Sequence, residues 1–149
     1  MDQTNKQFAL DIISHAKDMT LATIRPDGYP QATTVSYASD GLTLYVGVGK
    51  YSQKAENIRH CDKVSLTINA DYQDWNHIKG VSMGARAEIM HDPKEIEYAG
   101  ECMLRKFPQA AEWAQSQEKD AMIFLKITPQ VISLLDYEKG FGHTELVKV

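Results

Sequence analysis

The sequence predicts a mainly β fold, a β-barrel with flanking helices, formed by a single domain over residues 1–149. Short segments with period-two alternation and many β-branched residues recur along the chain, and turns with glycine separate them. About seven such segments would leave too many open edges in a flat sheet, so we expect the sheet to close on itself. The length of 149 residues suits one domain with one substantial core.

The predicted strands begin with an antiparallel meander. Gly28 and Gly41 follow aspartate in two short turns, where they can adopt the positive φ that hairpins require. Four more segments farther along the chain have the same strand character. The predicted strands are 20–25, 31–38, 42–48, 63–70, 80–90, 122–127 and 131–137.

Three helices are predicted before and between these strands. Residues 4–16 carry an apolar stripe at helical spacing. A second helix begins at Ser52. The third opens with Asp92 as N-cap and Pro93 at the first helical position, and it ends before Pro108.

Composition limits the classes of function. The net charge of −4 disfavours general binding to nucleic acid or to an anionic membrane, and no apolar run is long enough to span a bilayer. The N-terminal segment has no basic start with an apolar block behind it, so we expect a soluble, cytoplasmic protein. Cys61 and Cys102 form no C-x-x-C pair, and the histidines lack ligand spacing, so neither a disulfide nor a metal site is predicted.

One corner of the sequence points to ligand chemistry. The strand 42–48 is followed by Gly49, and the helix that begins at Ser52 would point the amides of its first turn outward. Lys54 adds a positive charge beside them, an arrangement that suits an anion such as phosphate. A serine cap followed by a solvated lysine is also common without any ligand. These residues alone leave both interpretations open.

Several features occur in a fixed order over roughly residues 15–137. They are a D-G-x-P turn, an S-x-K corner followed by an asparagine and a V-S-L strand, the segment GVSMGARAEIMHDP, and a late strand pair around T-P. In this order they resemble the pyridoxamine 5'-phosphate oxidase-like, FMN-binding split-barrel family, and most closely its short general-stress-type members.

The resemblance implies a six-stranded antiparallel barrel that works as a homodimer, with FMN in the cleft between subunits. Ser52 and Lys54 match the phosphate-binding corner, and Gln53 stands where a second basic residue often does. The strand before the corner would line the ribityl chain and ring, and the edge of the strand 31–38 would face the isoalloxazine. Trp75 could shield a flavin or be an ordinary packing residue. The implied cofactor-binding residues are Thr33, Thr34, Val35, Val46, Gly47, Val48, Ser52, Gln53, Lys54 and Trp75.

The implied function is a flavin-dependent oxidoreductase acting on an unidentified small molecule. The flavin performs the electron transfer, so no separate catalytic residue is predicted. The tail 140–149 contains His143 but no arginine, so we do not expect oxidation of pyridoxine phosphate itself. Two alternatives stay open: a protein that binds or senses flavin without turnover, and a relative of the same barrel that binds haem or a deazaflavin.

Overall fold

A computed structural model shows a curled antiparallel sheet with helices packed against it, and it describes residues 1–116 and 120–149. The strands are β1 (Asp18–Ile24), β2 (Pro30–Ser36), β3 (Ala38–Asp40), β4 (Thr43–Gly49), β5 (Lys63–Asn69), β6 (Lys79–Ile89), β7 (Met122–Asp136) and β8 (Thr144–Lys148). The α-helices are α1 (Gln3–His15), α2 (Gln53–His60), α3 (Pro93–Lys106) and α4 (Ala110–Ala114).

The order of strands explains how the sheet curls. The order of hydrogen-bonded neighbours across the sheet is β2, β1, β5, β6, β7, β4 and β3. Strand β8 is not part of this order and pairs with β7. The two end strands, β2 and β3, are consecutive in the chain and are separated only by Tyr37. Tyr37 is fully buried, and its hydroxyl donates a hydrogen bond of 2.6 Å to the carbonyl oxygen of Ile13. The two ends of the curled sheet therefore meet in the chain at one residue without pairing to each other, and the curled antiparallel sheet with flanking helices confirms the predicted fold class.

The interior is filled by alternate residues of the strands. On β1, Met19 and Leu21 are buried, and on the adjoining β5, Leu66 and Ile68 are buried in the same cluster. Ile13 of α1 covers this cluster. Each fully buried aliphatic side chain of this kind stabilises the fold by roughly 1.5 to 3 kcal/mol relative to exposure.

The predicted helices begin where their caps indicate. The side chain of Ser52 accepts a hydrogen bond from the amide of Ala55, and that of Asp92 accepts one from Lys94. The longest described helix, α3, has 14 residues, and no helix in the described ranges is long and apolar enough to cross a membrane.

The number of described strands differs from the six that the family resemblance implies and from the seven that the residue pattern predicts. The predicted strands 122–127 and 131–137 form the single strand β7, because a bulge at Gln130 opposes Gly84 and Ala85. A bulge leaves one residue unpaired, so Pro129 beside it is compatible with a continuous strand. The short β3 and the mostly exposed β8 were not predicted, nor was the five-residue α4.

Candidate functional site

A gap in the barrel lies between β2 and the second half of β4. β3 pairs with residues 43–45 of β4, but β2 pairs only with β1 among the described strands, so its other edge is free. Val35 of β2 and Gly47 of β4 line the same cavity. The two strands are therefore not paired with each other, and both β2 and residues 46–49 of β4 leave this edge without a described strand partner.

The first turn of α2 stands immediately after β4. Ser52 has an extended backbone, and its hydroxyl donates to the carbonyl oxygen of Gly49 at 2.7 Å while accepting from the amide of Ala55 at 3.2 Å. These two bonds fix the direction in which the helix leaves the strand. The N-terminal end of the helix dipole is therefore held at the end of β4.

Lys54 lies in this first turn and is partly buried. Burial lowers the pKa of its ammonium, and no acidic side chain of the described residues pairs with it. A partly desolvated cation beside unpaired helix amides is an arrangement that a bound anion would stabilise.

Asn57 joins this corner to the opposite side of the gap. Its side chain is fully buried and donates to Thr23 Oγ1 of β1 at 2.9 Å and to Gln31 Oε1 of β2 at 3.1 Å. It also accepts from Gln53 Nε2 at 2.8 Å. One amide thus ties α2 to β1 and β2. The sequence motif contained this asparagine, but its partners lie far away in the chain.

The three predicted residues of β2 do not share one orientation. Thr33 is paired with Leu21 of β1 and faces inward, and its Oγ1 is buried with no hydrogen-bond partner in the described structure. Val35 has the same orientation and reaches the cavity. Thr34 is exposed on the other face. The structure therefore brings Thr33 and Val35, but not the side chain of Thr34, to the inner side of the strand.

The predicted residues of β4 also differ in which side of the strand they face. Val46 and Val48 are 0% and 5% exposed and belong to the core, so only their backbone is available on the gap side. Gly47 between them faces the cavity. A Cβ there would lie 3.8 Å from the ring of Phe124, which is ordinary contact. Gly47 keeps this part of the wall open.

Trp75 lies away from the corner within one copy of the chain. α2 leads into the start of β5, whereas the loop with Trp75 follows the end of that strand, about 20 Å farther on. The side chain is 67% exposed, and its ring centroid lies 6.2 Å from that of Phe141. One chain therefore does not bring Trp75 and Lys54 together.

The cavity beside the gap has a volume of about 590 Å³ and was not foreseen from the sequence. α3 and α4 form one wall, and β4 with β7 forms the other. Its larger side chains are Met90, Met103, Met122, Trp113 and Phe124. These residues come from distant segments, so no local pattern could group them. Elsewhere in residues 1–116 and 120–149, no three His, Cys, Asp or Glu side chains gather as a metal site would need.

Fold and site together define a split barrel with a candidate anion-binding corner at the open end of its gap. The chain belongs to the pyridoxamine 5'-phosphate oxidase family, whose model matches residues 6–136. This confirms the family that the motifs indicated.

Three known proteins illustrate the similarity. General stress protein 26 of Bacillus subtilis (strain 168) is 25% identical over 134 residues, which is 90% of each chain. A conserved hypothetical protein from Mycobacterium tuberculosis has a TM-score of 0.80 and 25% identity, with 97% of this chain and 91% of that chain covered. A haem-binding protein from Mycobacterium smegmatis has a TM-score of 0.82 and 19% identity; the match covers 99% of this chain but 59% of that protein.

Proposed function

We propose that the chain binds FMN in the gap between β2 and β4 and acts as a flavin-dependent oxidoreductase on a small molecule. The observation that carries this proposal is the corner at Ser52 and Lys54. The amides of the first turn and the partly buried ammonium offer a dianionic phosphate both hydrogen bonds and charge.

The remaining parts of the gap fit the rest of the cofactor. The free edge of β2 presents unpaired N–H and C=O groups, which can hydrogen-bond the polar edge of an isoalloxazine. Thr33 Oγ1 is a further unpartnered group on the inner side of this strand. Gly47 leaves space opposite. Val46 and Val48 would contribute backbone only, because their side chains are in the core.

When bound, FMN supplies the electron transfer. The chain's own residues have the simpler tasks of holding and enclosing it. Lys54 balances the phosphate charge, and Asn57 fixes α2 against β1 and β2 so that the corner and the free edge keep their separation. The apolar cavity offers water few polar partners on the side of the gap that it adjoins.

We also propose a homodimer that completes the cleft. The large side chains of Trp75 and Phe141 are 67% and 72% exposed and touch each other, and clustered exposed aromatic residues are typical of an interface. Because Trp75 stands far from the gap of its own chain, it can reach a flavin only from a second copy.

The tail supports a substrate other than pyridoxine phosphate. β8 pairs with residues 131–135 of β7, whereas β4 beside the gap pairs with residues 122–127 of the same strand. The tail of one chain therefore lies along the part of β7 away from its own gap, and it carries no arginine for a substrate phosphate.

Paired titrations of the purified protein with FMN and riboflavin test the proposal. We expect FMN to bind about ten- to a hundredfold more tightly, because riboflavin lacks the phosphate and a charge-assisted bond contributes roughly 1.5 to 3 kcal/mol. Equal affinities would refute the phosphate corner. The rate of electron transfer from a reductant to an acceptor, compared with the rate given by the same concentration of free FMN, then separates an oxidoreductase, which accelerates the transfer, from a flavin carrier, which does not.

Haem is the second candidate ligand. The structural similarity to the M. smegmatis haem-binding protein favours it, as does the cavity, whose methionine thioethers would be the side chains able to bind the iron. The absorption spectrum of freshly purified protein decides between the two. A Soret band in place of flavin absorption would overturn the FMN proposal.

A further inference from the structure

We propose that the cavity between α3, α4, β4 and β7 is the substrate site and that it takes an uncharged, largely apolar molecule while excluding anions. This inference rests on the proposed function, because it places that molecule beside the gap assigned to the flavin. The volume of about 590 Å³ lies within the range of sites that enclose drug-sized ligands.

The chemistry of the wall sets the class of molecule. Met90, Met103 and Met122 contribute flexible thioethers, and Trp113 and Phe124 contribute rings. Methionine adapts its shape to an irregular partner and makes favourable contacts with aromatic rings. Such a wall stabilises apolar surface and offers little that would fix a polar group.

The polar side chains of the described wall argue against an anion. Besides the indole N–H of Trp113, which is a neutral donor, they are Ser36 and Asp120. The Ser36 hydroxyl already donates to Asp18 Oδ1 at 2.9 Å. Asp120 brings a negative charge, and the described wall contains no cationic side chain. A carboxylate or phosphate in the cavity would lose its hydration without gaining a partner of opposite charge.

The cavity is continuous with the gap. Val35 and Ser36 of β2 and Gly47 of β4 belong both to the strands that frame the gap and to the lining of the cavity. A molecule in the cavity would therefore lie against the proposed position of the ring system. This adjacency distinguishes a substrate site from a remote cavity.

Gly100 of α3 offers a way to fill the cavity. It lies in the lining, its φ is not in the positive region, and a Cβ built on it meets no atom within 4 Å. Gly100→Leu should occupy the cavity and also favour the helix, because glycine is a poor helix former. Ala114→Leu fills the cavity from α4. Ala111→Leu on the same helix is the control, since Ala111 is exposed and outside the lining.

The test uses two naphthalenes of nearly equal size, neutral 2-acetylnaphthalene and anionic 2-naphthoate. The chain has two tryptophans, of which only Trp113 lies in the described cavity wall, so the tryptophan fluorescence of the parent protein is the reporter and Trp75→Phe serves only to assign the quenching to Trp113. We expect saturable quenching by the neutral compound and at least about tenfold weaker binding of the anion. Gly100→Leu and Ala114→Leu should each weaken the binding of the neutral compound about tenfold or more, and Ala111→Leu should leave it unchanged.

FMN titrations of the same variants separate this inference from the proposed function. We expect Gly100→Leu to bind FMN like the parent protein. Equal binding of the two naphthalenes, or retained binding in both filled variants, would overturn the cavity proposal. If FMN displaces the neutral compound, and the filled variants bind neither FMN nor the neutral compound, the cavity is the flavin site and not a substrate site. If FMN fails to bind but the selective binding persists, the proposed function falls and the substrate assignment falls with it.

Discussion

The ammonium nitrogen of Lys106 lies 3.6 Å from the centroid of the Tyr37 ring, at the residue where the two ends of the sheet meet. This nitrogen is buried and has no hydrogen-bond partner in the described structure. Burial lowers the pKa of Lys106 to about 8, and the charge of Asp18 opposes that shift in part. The face of the ring attracts the cation but cannot replace its water shell.

Lys106 should therefore make stability depend on pH. The unfolded chain holds this proton up to an ordinary pKa of 10.5, and the folded chain releases it near pH 8. Because the unfolded state binds more protons between these values, the free energy of unfolding should rise with pH from about 8 to 10.5. Below pH 8 both states are protonated, and the folded state carries the full cost of a buried charge.

Lys106→Met, measured by urea unfolding from pH 7 to pH 10, checks this expectation. Methionine keeps an unbranched chain without the charge, so its stability relative to the parent should be greatest near pH 7 and should decline as pH rises. Lys94→Met changes an exposed lysine of the same helix and is the control. Parallel pH profiles for the parent and Lys106→Met would contradict the assignment.

Lys54→Ala should weaken the binding of FMN about ten- to a hundredfold and leave the binding of riboflavin nearly unaffected. The reason is that the ammonium acts only on the phosphate. Lys50→Ala and Lys63→Ala are matched controls, because both side chains are exposed. If FMN is unaffected, or if both ligands weaken equally, Lys54 is only a neighbour of a helix cap.

Asn57→Ala should weaken the binding of FMN and of riboflavin to the same extent, in contrast to Lys54→Ala. It removes the bonds that hold α2 to Thr23 and Gln31, so the corner and the free edge lose their fixed separation. It should also cost about 1 to 3 kcal/mol of stability, because buried partners are left unsatisfied. Urea unfolding and both titrations measure this. Gln53→Ala is the control for stability and for riboflavin binding, since it removes only the bond within α2, and a comparable loss of either in that variant would refute the special role of Asn57.

The protein should be a dimer at micromolar concentration. An exposed pair of touching aromatic side chains, Trp75 and Phe141, is costly in water and is relieved by association. Light scattering should give about twice the chain mass of 16.8 kDa. A mass equal to one chain would rule out a shared cleft.

Turnover of pyridoxine 5'-phosphate should be absent from the FMN-loaded protein. The tail carries no arginine, and the described wall of the cavity carries no cation to hold the substrate phosphate. The formation of pyridoxal phosphate, followed by its absorbance, is the measurement. Robust product formation would show that a cation outside the described wall serves this purpose.

Local patterns were enough to predict most of the fold. Alternation identified the strands around Leu21 and Leu66, and cap residues placed the starts of α2 and α3 at Ser52 and Asp92. The failures also have local causes. The two predicted strands 122–127 and 131–137 leave out residues 128–130, where β7 continues through a bulge, and β8 has only Val147 partly buried, which gives no alternation to detect.

The site was less predictable, because it depends on contacts between distant segments. Ser52 and Lys54 could be selected from adjacent residues in one helical turn. Asn57 is separated from its partner Thr23 by 34 positions, so no sequence window contains the pair. The cavity is assembled from β2, β4, α3, α4 and β7, and of its lining only Val35 and Gly47 were among the predicted cofactor-binding residues.

The passage of the chain from one end of the sheet to the other at Tyr37 also sets an order for folding. Hairpins such as β1 with β2 and β5 with β6 join nearby segments and lose little loop entropy. The pairing of β4 with β7, for example Val46 with Leu125, joins segments far apart in the chain, so we expect it to form after the hairpins. Such distant pairings limit folding rates. The seam formed last borders the ligand gap, so a molecule bound across it should slow unfolding and prolong the lifetime of the native state.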